Sequence, residues 1–132
     1  MFICSTRSNR EKIVLGLLIL SIIFPLYLSY ADNIENTLSD KWTSMINYLK
    51  KGDTQNALRL IHPDKRAEYE AMFKALGTNL KIIVSTQIEF NVREITNYDA
   101  KFELVTNEGG TTYSYEVTFL RDQDGKWWIY EF

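Results

Sequence analysis

The sequence predicts an α+β domain in which three helices precede a curved, four-stranded antiparallel sheet. Three observations predict it: apolar residues recur at three- and four-residue steps as far as Leu76, they alternate from Leu80 onward, and two glycine-bearing turns divide the alternating part. At 132 residues the chain is long enough for one real core and too short for two. No repeat, low-complexity tract or Pro/Gly-rich linker divides it, which argues for one α+β unit.

A leader precedes that unit. Arg7, Arg10 and Lys12 lead into the apolar run Ile13 to Phe24, which Pro25 ends, and this is the layout of an export signal. Ser29 and Ala31 supply the small residues a signal peptidase reads, so the expected cut follows Ala31. Residues 1–31 are then the signal peptide and residues 32–132 the domain. The alternative is an uncleaved anchor in the inner membrane, because Ile13 to Tyr30 is 18 residues, just reaching the roughly 18 to 20 of a membrane span. Cys4 lies ahead of the apolar run, and the domain has no other cysteine. An exported domain without disulfides depends on its apolar core, which suits a bacterial periplasm or exterior.

In the first helix Ile34, Leu38, Trp42, Met45, Ile46 and Leu49 share a face, and Lys50, Lys51 and Gly52 close it. Asp53 caps a short second helix that turns Ala57, Leu58 and Ile61 inward. The third starts at Pro63, whose fixed φ suits a first turn, buries Tyr69, Met72, Phe73 and Leu76, and stops at Gly77. From Leu80 the period is two: Leu80, Ile82, Val84, Thr86, Ile88, Phe90 and Val92 point one way, predicting one long strand bent near Ser85 and Thr86. Ala100 to Thr106, Thr111 to Leu120 and Lys126 to Phe132 complete a meander. Its turns are Asn107 to Gly110 and Asp122 to Gly125. The expected core is Leu38, Trp42, Met45, Phe73, Leu76, Ile88, Phe90, Phe119, Trp127 and Ile129.

That order, with "KKGDTQNAL" (Lys50 to Leu58) between two helices and "RDQDGKWWIYEF" (Arg121 to Phe132) at the end, resembles the nuclear-transport-factor-2-like superfamily. The resemblance covers nearly all of Asn33 to Phe132 and is similar above all to small exported bacterial members. It implies a cystatin-like cone, a curved sheet wrapped around a long helix, whose open end often holds a small molecule. It also implies pairing of two copies through the outer sheet face. Some members are isomerases, dehydratases or hydrolases, and others are non-catalytic. Those enzymes carry a hairpin or extra strands between their second and third helices, whereas here Ile61 runs almost directly into Pro63.

The sharpest local motif is His62-Pro63-Asp64, the tripeptide of J-domain co-chaperones. A J-domain holds it in a loop after a long basic helix; here the preceding helix is short, Arg59 is its only base, and a helix begins at Pro63. The tripeptide therefore reads as a helix start, with Asp64 placed favourably against the positive end of the dipole. His62 is the only histidine, so no zinc site is expected. Asp122, Asp124, Gly125 and Glu131 imitate a calcium loop, but Leu120 stands where its first carboxylate is needed.

Acid–base chemistry of the isomerase kind needs a carboxylate, tyrosine or histidine aimed into apolar surroundings. The candidates are His62, Tyr48, Tyr69, Tyr113, Tyr115, Asp99 and Glu103, and the pattern forces none of them inward. If Trp127 and Ile129 go in, Trp128 and Tyr130 alternate outward, and exposed aromatics on a sheet suggest a partner surface. Without the leader the chain carries 12 basic against 16 acidic residues, a formal −4, and no basic cluster exceeds a pair, so nucleic acid is not an expected partner. No cofactor or metal is expected, and contact with the membrane is expected only through the leader. The reading is an exported domain that binds a small ligand or a protein, a second copy included, at the cone mouth or outer sheet face. Its alternatives are an isomerase, dehydratase or hydrolase and, remotely, a co-chaperone.

Overall fold

The computed structural model describes residues 33–132; the leader, the cut after Ala31 and Cys4 lie outside the described residues. The first helix, α1, runs over residues 33–51 and buries Leu38, Trp42, Met45, Ile46 and Leu49 along the stripe their spacing sets. Gly52, at φ +77°, ends it, its N–H donating to the Leu49 carbonyl at 3.0 Å. The Asp53 carboxylate then accepts the Asn56 N–H at 3.2 Å and opens α2, Thr54–Leu58.

After α2 the chain is briefly extended. The Ile129 N–H donates to the Leu60 carbonyl at 3.1 Å and the His62 N–H to the Ile129 carbonyl at 2.8 Å, a one-residue parallel bridge that buries Ile61 completely. Pro63–Lys65 follow as a 3₁₀ turn, so the third helix proper, α3, is Arg66–Leu76 and begins three residues later than Pro63 predicts. It buries Tyr69 and Phe73, while Met72 and Leu76 stay half-buried.

The segment after Gly77 corrects the sequence reading. Asn79–Ile83 form a fourth short helix, α4, where a strand was expected to start, and Val84 to Thr86 turn the chain into β1, Gln87–Ile95. Leu80 and Val84 are buried and Ile82 is 67% exposed, the four-residue period of a helix. Alternation over "NLKIIVST" was ambiguous because an apolar run this short satisfies both periods.

β1 pairs with β2, Asp99–Glu108, then β2 with β3, Thr111–Arg121, and β3 with β4, Trp127–Glu131, all antiparallel in the order β1-β2-β3-β4. Gly109 and Gly110, both at positive φ, join β2 to β3 in the two-residue turn whose twist fits a hairpin. Register shifts in β1 leave Ile88 and Arg93 as extra residues opposite β2. Each extra residue reverses the alternation, so Gln87, Phe90, Val92 and Ile95 share the inner face. Ile88 is consequently 57% exposed and is not a core residue, a second correction.

On the inner face Trp42 of α1 stacks on Phe90 at 5.2 Å, Phe90 stacks on Phe102 at 4.6 Å, and Phe119 meets Phe102 edge-on at 5.4 Å. These rings join α1 to the three strands β1, β2 and β3. Among the described residues no helix is long and apolar enough to cross a membrane.

Candidate functional site

β4 carries the candidate partner residues. A third register shift leaves Tyr130 extra between Glu131 and Ile129, while Trp127 faces the same side as Arg121 and Trp128 pairs with Leu120 on the outer side. Trp128 is nonetheless buried, against the expectation of an exposed ring. Its indole N–H donates to the Asp122 carboxylate at 2.7 Å, and two cations lie on its ring: Lys126 Nζ at 3.7 Å and Arg66 Cζ at 5.3 Å. Tyr130 remains half-exposed, with Lys65 Nζ 5.4 Å from its ring centre.

The physical reason is the bridge to Ile129. It runs the chain from Leu60 to His62 beside β4 and delivers the following turn onto the outer side of Trp128. Sequence reasoning missed Arg66 and Lys126. Lys126 stands two residues before Trp128, just ahead of β4, and that spacing was a readable signal. Arg66 is brought there only by the bridge.

His62 sits in the same wall. Its ring meets Tyr130 edge-on at 5.7 Å and Trp128 at 6.4 Å, and its Nδ1 accepts the Asp64 N–H at 3.3 Å. An Nδ1 that accepts this bond offers no proton of its own, and the Asp64 carboxylate lies 3.8 Å from it. The tripeptide is thus a helix start: His62 caps, Pro63 begins the turn and Asp64 follows.

The other acid–base candidates are dispersed. The Tyr69 hydroxyl donates to the Phe132 carbonyl at 3.3 Å and accepts the Phe132 N–H at 2.9 Å, and burial pushes its pKa up. Asp99 closes the turn between β1 and β2, where Thr96 donates through its hydroxyl to the Asp99 carboxylate and the Asp99 N–H returns a bond to that hydroxyl at 3.0 Å. Glu103 lies on the outer face, bonded by the Ser114 hydroxyl at 2.6 Å and by Arg93, and these hold its carboxyl below the usual range. Tyr48 lies half-buried on α1. The fold brings together His62, Trp128 and Tyr130 and does not bring Tyr48, Tyr69, Asp99 and Glu103 into one site.

On the inner face of β2, Thr106 is the one buried polar residue among those described, and its hydroxyl donates to Glu108 at 2.9 Å. Beyond the stack the same face carries Tyr113 and Tyr115, both 44% exposed, their rings 6.4 Å apart. Burial first, then the bond to Glu108, pushes the Tyr115 phenol up. Concavities open elsewhere: about 350 Å³ among the four helices, about 240 Å³ between α1 and β1, and about 390 Å³ beside the Asp122 to Gly125 turn. Among the described residues no group of three or more His, Cys, Asp or Glu could hold a metal ion. No protein-family model, curated protein or solved structure matches the chain.

Proposed function

We propose that the chain is an exported, non-catalytic binding domain of the nuclear-transport-factor-2-like kind, a cone of helices on a curved sheet that takes its ligand or partner outside a filled interior. One observation carries the reading. The rings of Trp42, Phe90, Phe102 and Phe119 pack against one another between α1 and the sheet, the Tyr69 and Asp99 candidates are committed to structural bonds, and none of the acid–base candidates lines the concavity left between α1 and β1. Acid–base catalysis needs a titratable group facing a substrate in apolar surroundings, and none of the candidates faces one there.

Two further features support it. Bulges at Ile88, Arg93 and Tyr130 bend the strands that carry them, as a curved sheet requires. The basic-then-apolar leader, ending in Ser29 and Ala31, supports export.

The test exposes the full chain to a library of small metabolites and follows both line broadening and chemical conversion by NMR. Broadening without conversion is the expected result. Conversion of any compound, abolished by His62→Gln or by Tyr48→Phe, overturns the reading in favour of an enzyme.

A further inference from the structure

The cleft of about 350 Å³ among the four helices has the construction of a ligand site. Its floor is Leu49, Leu58, Phe73 and Leu80, contributed one each by α1, α2, α3 and α4, and all four are buried. The rim is open where Gly52 and Gly77 lack side chains. A Cβ on Gly77 would meet nothing within 4 Å, and one on Gly52 would meet only the Lys81 stem at 3.5 Å.

Charge at the rim selects the ligand. Lys74 on α3 and Lys81 on α4 line it, together with Glu70, one turn before Lys74. Among the described residues the ion pairs of lysine and arginine are Lys65–Glu68, Arg93–Glu103 and Lys101–Glu116, and neither Lys74 nor Lys81 belongs to one. Two rim cations outside those pairs, against the single carboxylate of Glu70, match a molecule with one anionic end and an apolar body. The volume lies at the small end of the roughly 300 to 1,000 Å³ of ligand pockets, which sets a metabolite rather than a peptide.

We infer that this cleft binds a small monocarboxylic acid with an apolar tail, the carboxylate between Lys74 and Lys81 and the tail on Leu49, Leu58, Phe73 and Leu80. The inference rests on the binding reading above and names its ligand class. It places the ligand between helices, away from both the ring stack and the β4 wall.

Hexanoate is the probe, with hexanol and hexylamine as neutral and cationic analogues, followed by amide shifts of the full-length chain. Saturable shifts at Gly52, Gly77 and Lys81 are expected with hexanoate. Hexanol and hexylamine should bind about tenfold more weakly or worse, since neither offers an anion to the two lysines. The surface pair Lys74→Glu and Lys81→Glu should weaken hexanoate by about tenfold or more with the remaining amides unmoved, and Lys74→Gln with Lys81→Gln should fall between. Equal binding of hexanol, indifference to both lysine pairs, or shifts confined to other residues would each overturn the assignment. Saturable shifts at other residues would do so while leaving the binding-domain reading in place, whereas conversion of hexanoate would overturn both.

Discussion

Tyr69 and Phe132 are joined three ways: their rings stack with centroids 4.3 Å apart and planes at 13°, and the Tyr69 hydroxyl both donates to the Phe132 carbonyl and accepts its N–H. Sixty-three positions apart in sequence, they tie α3 to the residue that follows β4. Phe132 in turn meets Trp42 edge-on at 5.4 Å, so the clasp reaches α1 and the ring stack.

Tyr69→Phe keeps the stacking and removes both hydrogen bonds, leaving the Phe132 N–H without its partner. The expected loss is about 1 to 3 kcal/mol in denaturant unfolding. Burial raises the Tyr69 pKa in the folded state above its ordinary value near 10. The unfolded chain therefore ionises first as pH rises, and the clasp's stability, complete below pH 10, declines as pH climbs toward the folded pKa. Tyr69→Phe should flatten that alkaline decline; an equally steep decline in the variant would show that another group is responsible.

Asp122 is held below the ordinary carboxylate range chiefly by the Trp128 indole N–H and then by the Lys126 N–H. A depressed folded pKa stabilises above the unfolded value of 3.8 and is lost as pH falls toward the folded one. Asp53 and Glu103 shift in the same direction. Acid unfolding should set in below about pH 4, and Asp122→Asn should make it shallower, measured as unfolding free energy against pH.

The two corrections around α4 give a paired test. Leu80→Ala should cost about 2 to 5 kcal/mol, since Leu80 is buried beneath α4. Ile88→Thr should change stability by no more than about 0.5 kcal/mol, because the bulge turns Ile88 to solvent. A large loss at Ile88 would restore the unbroken strand.

Trp127 is 8% exposed on the inner side of β4. Trp127→Ala should cost about 3 to 5 kcal/mol, a large share of the roughly 5 to 15 that holds a domain of this size folded. Thermal unfolding indistinguishable from that of the parent would remove Trp127 from the core.

His62→Ala should lose about 0.5 to 2 kcal/mol through the missing cap to Asp64, and His62→Asn, which can accept the same N–H, should recover most of it. Equal losses in the two variants would assign the effect to the ring contacts with Trp128 and Tyr130 instead.

Local rules carried much of this fold. The α1 stripe, the Asp53 cap, the stop at Gly77 and both glycine turns follow from spacing and from backbone chemistry acting within four residues. The same rules failed where the decisive partner is distant or where two periods overlap. The eight residues Asn79 to Thr86 fit a strand as well as a helix until Leu80 and Val84 are pressed against the other helices. Ile88 alternates correctly and is expelled only because β2 sets a register that skips it.

The candidate site divides in the same way. Sequence by itself determined the α+β order of elements, an apolar core without cysteine, the inward side of Trp127 and Ile129, and the role of His62-Pro63-Asp64 as a helix start, all of which depend on contacts within a turn or on strand alternation. Only the tertiary structure decided that Trp128 is buried under Arg66 and Lys126, that the acid–base candidates lie apart, and that Lys74 and Lys81 flank one apolar cleft. Each of those depends on which distant segments pack together, as the Ile61–Ile129 bridge does, and residue spacing along a chain does not encode that choice locally.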